Sequence, residues 1–264
     1  MAVADLQWAA AIYLIACLVA GTGLVLRSRR LARAAVWLLA VGALLHGLSF
    51  PLLHTQGGAP PLTSLSAATS FMAWIGTLCF LALLLRVRVA GLVVLVAPAA
   101  FLGVFLAALR LPAVGPATFA GSGSWPHAHV LLASAGLALL GLAGLSSLVY
   151  LLEHNRLKAK ANLQRPIPLP SLEALDRVNA TALAAGFSLL TLGVVTGMLW
   201  VQTASGHLFV GSPHEAWSLV AWAVYAVLTA LRFGGRQGAR QAAAAAVFAF
   251  GFLFFAVIGV ELLT

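Results

Sequence analysis

The sequence predicts an all-α polytopic membrane protein: eight transmembrane helices with both termini outside, on the periplasmic side. Three observations carry this. Hydrophobic residues make up 62% of the 264 and charged residues only 8%, with a mean hydropathy of +1.03; a soluble domain carries about 25% charged residues. The apolar residues gather in eight long runs. The basic residues gather in alternate connections between those runs. A bilayer span needs about 20 apolar residues, so eight spans use nearly all of the apolar composition. A soluble enzyme, a disordered chain and a nucleic-acid-binding domain are excluded on these grounds.

The spans run approximately over 7–26, 34–53, 66–85, 89–109, 128–152, 179–201, 214–231 and 242–263. The first follows Met1–Asp5, which lacks the basic flank of a signal peptide, and runs into Arg27, so it is expected to be retained. The second contains His46 and the third Cys79; Cys79 and Cys17 read as small packing residues. Pro98 interrupts the fourth. The fifth opens at His127-Ala-His129. The sixth is entered from the stiff stretch Arg165-Pro-Ile-Pro-Leu-Pro170 and carries Gly193-x-x-x-Gly197, a spacing that lets helices approach closely. The seventh opens with Ser212-Pro-His-Glu215: Ser at N-cap, Pro at N1 and Glu at N3 form a capping box. The eighth closes the chain. Unpaired backbone groups cost several kcal/mol each in lipid, so runs of this length must be helices. No connection is long enough for a soluble domain, so residues 1–264 read as one membrane domain.

Charge sets the orientation. Fourteen of the fifteen basic residues, Arg27, Arg29, Arg30, Arg33, Arg86, Arg88, Arg156, Lys158, Lys160, Arg165, Arg177, Arg232, Arg236 and Arg240, fall in alternate connections; Arg110 falls on the other side. The positive-inside rule puts the basic side in the cytoplasm. The net charge of +9 is thus a topology signal, matched to the anionic inner leaflet, and nucleic acid is not an expected partner. The lipid bilayer is.

The polar groups kept in such a chain point to its chemistry. His54, His127, His129, His207 and His214 lie in or beside outer connections, His46 lies within span two, and His154 is on the inner side. Neutral imidazole ligates haem iron and other transition metals, so histidines converging on one face fit a bound cofactor. Ordinary interfacial or capping histidines are the other reading. His46 differs in kind, because an ionisable group at membrane depth is a functional candidate by default. Trp125, Trp200 and Trp217 lie near the outer interface, where an aromatic belt is expected in any case, and Trp222 reads as packing. No Walker loop, H-E-x-x-H or G-x-S-x-G occurs. An enzyme is therefore not expected, nor a metal beyond haem iron.

Several segments carry a resemblance. Leu169-Pro-Ser-Leu-Glu-Ala-Leu-Asp-Arg177 enters span six, and Gly186-Phe187, Leu190-Thr191, Gly193 and Gly197 follow within it. Glu215-Ala-Trp217-Ser-Leu-Val-Ala-Trp222 precedes Tyr225 and Arg232, and Trp125, His129-Val130 and Phe71-Met-Ala-Trp74 lie earlier. In order and spacing these resemble the cytochrome c assembly family (the CcsA/CcmC/HemX superfamily) over roughly residues 60–260, and its short HemX-like branch in particular. The resemblance implies a multi-pass protein of the bacterial inner membrane that handles haem on its outer face. Membrane proteins of haem or cytochrome c biogenesis are then the expected partners. His46, His129, His207, His214 and Trp217 are the candidate cofactor residues.

The family's Trp-rich haem segment is altered here. Ser205, Phe209 and Gly211 replace its three tryptophans, Ser212 its Asp and His214 its Lys, while Pro213 and Glu215 remain. Ala230 stands where the family has an intramembrane histidine, and no histidine follows span eight before Thr264. An accessory or regulatory role is therefore expected, without haem-lyase activity. A transporter or ion exporter on the same scaffold, or a docking scaffold without haem, are the alternatives. The first is disfavoured because His46 is the one acid or base expected in the interior of the spans, and only Pro98 interrupts one.

Overall fold

The computed structural model describes residues 2–57, 65–85, 89–110, 125–159, 170–235 and 237–263, with side chains omitted at 2–5, 51–57, 65–67, 109–110 and 254–263. Eight α-helices and no strand occur among the described residues: α1 (Ala2–Val25), α2 (Arg29–Gly57), α3 (Leu65–Leu84), α4 (Val93–Arg110), α5 (Trp125–Lys158), α6 (Leu172–Ser205), α7 (Pro213–Gly234) and α8 (Ala239–Leu263). Six of them, α1, α2, α4, α5, α6 and α7, are long and apolar enough to cross a membrane; α3 and α8 are apolar over shorter described lengths. Each helix coincides with one apolar run of the sequence. Arg86, Arg88, Lys160, Arg165, Arg236 and the stretch 165–169 lie outside the described residues, as do the side chains of His54 and Arg110.

The helices extend past the apolar runs. α5 and α6 have 34 residues each, about 51 Å at 1.5 Å per residue, against a hydrocarbon core of about 30 Å. The added turns of α6 start from Ser171, whose hydroxyl accepts from the Ala174 amide at 3.2 Å. They hold the polar residues Glu173, Asp176 and Arg177, with Arg177 donating to Glu173 at 2.9 Å one turn away. The sequence places this turn in a connection because it is charged; its cap and its i,i+4 pair are the local signals for helix.

Two compact units form, one built on α1–α4 and the other on α5–α8. In the first, α1 packs on α2 and α4, and α3 on α4. Small residues are buried on both α1 and α2: Ala9, Ala16 and Ala20 on one helix, Ala35 and Ala43 on the other. With lipid as the solvent, hydrophobicity does not drive helices together, and small residues that permit close van der Waals contact do. Arg27 takes φ of 55° at the turn between α1 and α2.

In the second unit α5 and α6 form the most extensive pairing. A Cβ on Gly136 of α5 would lie 2.6 Å from the Leu190 backbone nitrogen of α6, and one on Gly193 of α6 would lie 2.9 Å from the Ala133 backbone. The helix backbones therefore touch along this line. α7 and α8 close the unit around Leu140, Ala143, Leu183, Tyr225 and Ala246. Polar ties fix the register. Asn179 donates to Ser147 Oγ at 2.6 Å, Trp222 donates to Thr191 Oγ1 at 3.0 Å, and Arg232 pairs with Asp176 at 2.8 Å.

Gly136→Val should lower the thermal unfolding midpoint in detergent, because overpacking a close contact costs about 1–3 kcal/mol or more. Gly21→Val, where a Cβ meets nothing within 4 Å, should leave the midpoint nearly unchanged. Equal melting of the two variants would contradict the backbone contact.

Candidate functional site

The G-x-x-x-G of α6 faces a histidine. His129, on the first turns of α5, points its Nδ1 at the Gly193 carbonyl oxygen, 2.8 Å away. Its ring lies over Gly197, where a Cβ would stand 2.8 Å from Nδ1. A carbonyl only accepts, so Nδ1 carries the proton, and the neutral ring keeps its lone pair on Nε2. No hydrogen bond reaches Nε2 among the described residues. A ring oriented by an Nδ1–H···O=C bond, with Nε2 left as the basic nitrogen, is the form in which histidine ligates a metal. The Trp200 ring lies 6.0 Å from it, one turn beyond Gly197.

His214 lies in the neighbourhood of His129. It is exposed on the first turn of α7. That turn is strongly determined. Ser212 Oγ accepts from the Glu215 amide at 3.3 Å, completing the capping box read from the sequence. Glu215 Oε2 also accepts from the amides of Val210 and Gly211, at 3.0 and 2.8 Å, as well as from Ser212 at 3.3 Å. One carboxylate oxygen therefore gathers three consecutive N–H groups.

The other candidates are placed differently. His207 is exposed in the turn after α6, its amide 3.3 Å from Ser205 Oγ. Trp217 faces Phe252 of α8, ring centroids 6.3 Å apart. His46 belongs to the first unit and is fully buried. Its Nε2 lies 2.8 Å from Ser70 Oγ and its Nδ1 3.4 Å from Tyr13 Oη. Phe50 stacks on it with centroids 5.2 Å apart, and Phe71 and Trp74 pack around Phe50. Whichever tautomer holds, both nitrogens are engaged, so His46 reads here as a tie between α1, α2 and α3. No group of three or more His, Cys, Asp or Glu side chains able to hold a metal ion occurs among the described residues.

The structure thus brings together His129, Gly193, Gly197 and Trp200, with His214 nearby. Trp200 reads as belt aromatic from the sequence, and Gly193 and Gly197 read as packing. The signal that joins them is the coincidence of a G-x-x-x-G with a histidine on the paired helix, which needs the α5–α6 register to be seen.

Comparison with known proteins points to the same family. A family model described as cytochrome c assembly protein matches residues 62–264. The cytochrome c biogenesis protein CcsA of Synechococcus sp. (strain CC9605) is 30% identical over 255 residues, covering 86% of this chain and 83% of the relative. That of Chlamydomonas reinhardtii is 28% identical over 220 residues, 79% of this chain and 60% of the relative. That of Prochlorococcus marinus (strain NATL1A) is 34% identical over 118 residues, 45% of this chain but only 36% of the relative's length.

Glu215→Ala should speed amide hydrogen exchange at Val210, Gly211 and Ser212 by roughly fivefold, the equivalent of about 1 kcal/mol for a lost cap. Exchange in the middle of α6 should not change. Unaltered exchange at all three amides would show that the carboxylate does not hold the turn.

Proposed function

The chain belongs to the cytochrome c assembly protein family, and on that premise we propose that it handles haem as an accessory or regulatory component of cytochrome c assembly. It is a multi-pass membrane protein. In our reading all eight helices span the bilayer, both termini lie outside, and the membrane is the bacterial inner membrane. The basic residues in alternate connections support that orientation.

His129 carries the proposal. Its Nδ1–H is fixed on the Gly193 carbonyl, which leaves Nε2 as the nitrogen able to ligate haem iron. Trp200 supplies an aromatic surface beside it, and His214 a second imidazole in its neighbourhood. The donor set fits a haem iron, which accepts neutral imidazole. Haem here is cargo. The chain's part is to bind and orient it at the outer end of the second unit, without a covalent step. The altered Trp-rich segment supports holding over ligation to a cytochrome.

The spectrum of the purified protein tests this. Protein reconstituted with haem should show a Soret band that is lost in His129→Ala and weakened in Gly197→Val, which pushes the ring from its seat. His46→Ala should keep the band and instead lower thermal stability, since it leaves the buried Ser70 and Tyr13 hydroxyls short of a partner. A band that survives His129→Ala unchanged would overturn the assignment. Orientation is checked separately: a maleimide that cannot cross the membrane should label His207→Cys from outside intact cells and leave Arg240→Cys unlabelled.

A further inference from the structure

The turn between α6 and α7 is built in an unusual way for a connection that meets water. Leu208, Phe209 and Val210 follow one another and are 49%, 47% and 61% exposed. Three consecutive apolar side chains at a turn tip therefore leave about half their surface uncovered. They are not loose. Gly206 and Gly211 bracket them at φ of 78° and 82°, which reverses the chain at both ends. The Glu215 carboxylate then ties the backbone at 210, 211 and 212.

The charge pattern is as specific as the geometry. No Asp, Glu, Lys or Arg lies between Arg177 and Glu215, so the whole of the turn is without formal charge. The nearest charge, Glu215, accepts three backbone N–H groups and is therefore compensated where it stands. A turn made for water would present charged or polar tips; this one presents hydrocarbon at 208–210, next to the exposed His207.

The position is set by the helices. α7 has 22 residues from Pro213, about 33 Å, close to the thickness of a hydrocarbon core. Pro213 then sits at the edge of the hydrocarbon, with the turn directly before it. Exposed apolar residues occur along both helices: Leu192 and Val195 on α6, Leu219, Val220 and Val227 on α7.

We propose that the α6–α7 turn is a membrane anchor, with Leu208, Phe209 and Val210 inserted at the headgroup–acyl boundary of the leaflet on that side. The occupant of this surface is lipid. Insertion fixes the height of the turn and of the α7 first turn that carries His214. The anchor does not rest on the haem reading and is tested on haem-free protein.

Spin labels report it. Phe209→Cys and Val210→Cys are labelled one at a time, with Cys17 and Cys79 replaced by alanine, in vesicles of phosphatidylcholine and phosphatidylglycerol. Val195→Cys serves as the lipid-facing reference and Glu173→Cys as the aqueous one. Labels at 209 and 210 should collide several-fold more with oxygen, which partitions into lipid, than with a water-soluble nickel chelate, as at 195. A profile matching residue 173 overturns the proposal. Labels shielded from both reagents overturn it as well, because the surface is then covered by protein. The exposed positions chosen leave folding intact, and the expected contrast between 195 and 173 confirms it in each preparation.

Discussion

The contact between α5 and α6 decides most of what the second unit can do. The two backbones touch at Gly136 and Gly193, a separation that any larger residue would forbid. In lipid this proximity is the source of binding energy between helices, since apolar side chains gain nothing by leaving one hydrocarbon for another. It also brings the Gly193 carbonyl within 2.8 Å of a side chain on the neighbouring helix. A carbonyl inside a helix is normally screened by its own side chains. Here two glycines four residues apart uncover it, and the same gap that lets the helices pack also receives the His129 ring.

Around that contact the polar ties are few and each joins two helices. Asn179 reaches Ser147, Trp222 reaches Thr191, and Arg232 reaches Asp176. Two of the three join α6 to α7, one midway along the pair and the other near the α6 start and the α7 end. The first unit uses the same device, with His46 between Ser70 and Tyr13 and with Trp74 donating to the Ala43 carbonyl at 2.8 Å. Such bonds add specificity in a medium where apolar packing alone tolerates many registers. Asn179 keeps one cost: its Oδ1 is buried without a partner among the described residues.

The sequence makes the helices legible because lipid imposes a length and forbids unpaired backbone, so each apolar run reports one helix. It makes the α7 cap legible because Ser212, Pro213 and Glu215 encode local geometry. What it leaves unread depends on register. The charged start of α6 looks like a connection until Ser171 caps it. His46 and His129 look alike as membrane histidines, yet one has both nitrogens engaged and the other only one. Composition is silent on that difference, because it lies in which residues face each ring: two hydroxyl side chains for His46, a single exposed carbonyl for His129. The motif order shared with the family is readable for a further reason, since it spans several helices at fixed spacing and does not depend on any one contact.

The Gly193 carbonyl also lies 3.0 Å from the Thr196 hydroxyl, whose one proton has a shorter acceptor in the Leu192 carbonyl at 2.8 Å. His129 is thus borne by one helix while its proton is positioned by a carbonyl of another. Which ring nitrogen is basic is then a property of helix registration. A slide or rotation of α6 against α5 would part the ring from that carbonyl, release the imidazole from its fixed tautomer, and turn a mechanical displacement inside the bundle into a change of basic nitrogen at its end.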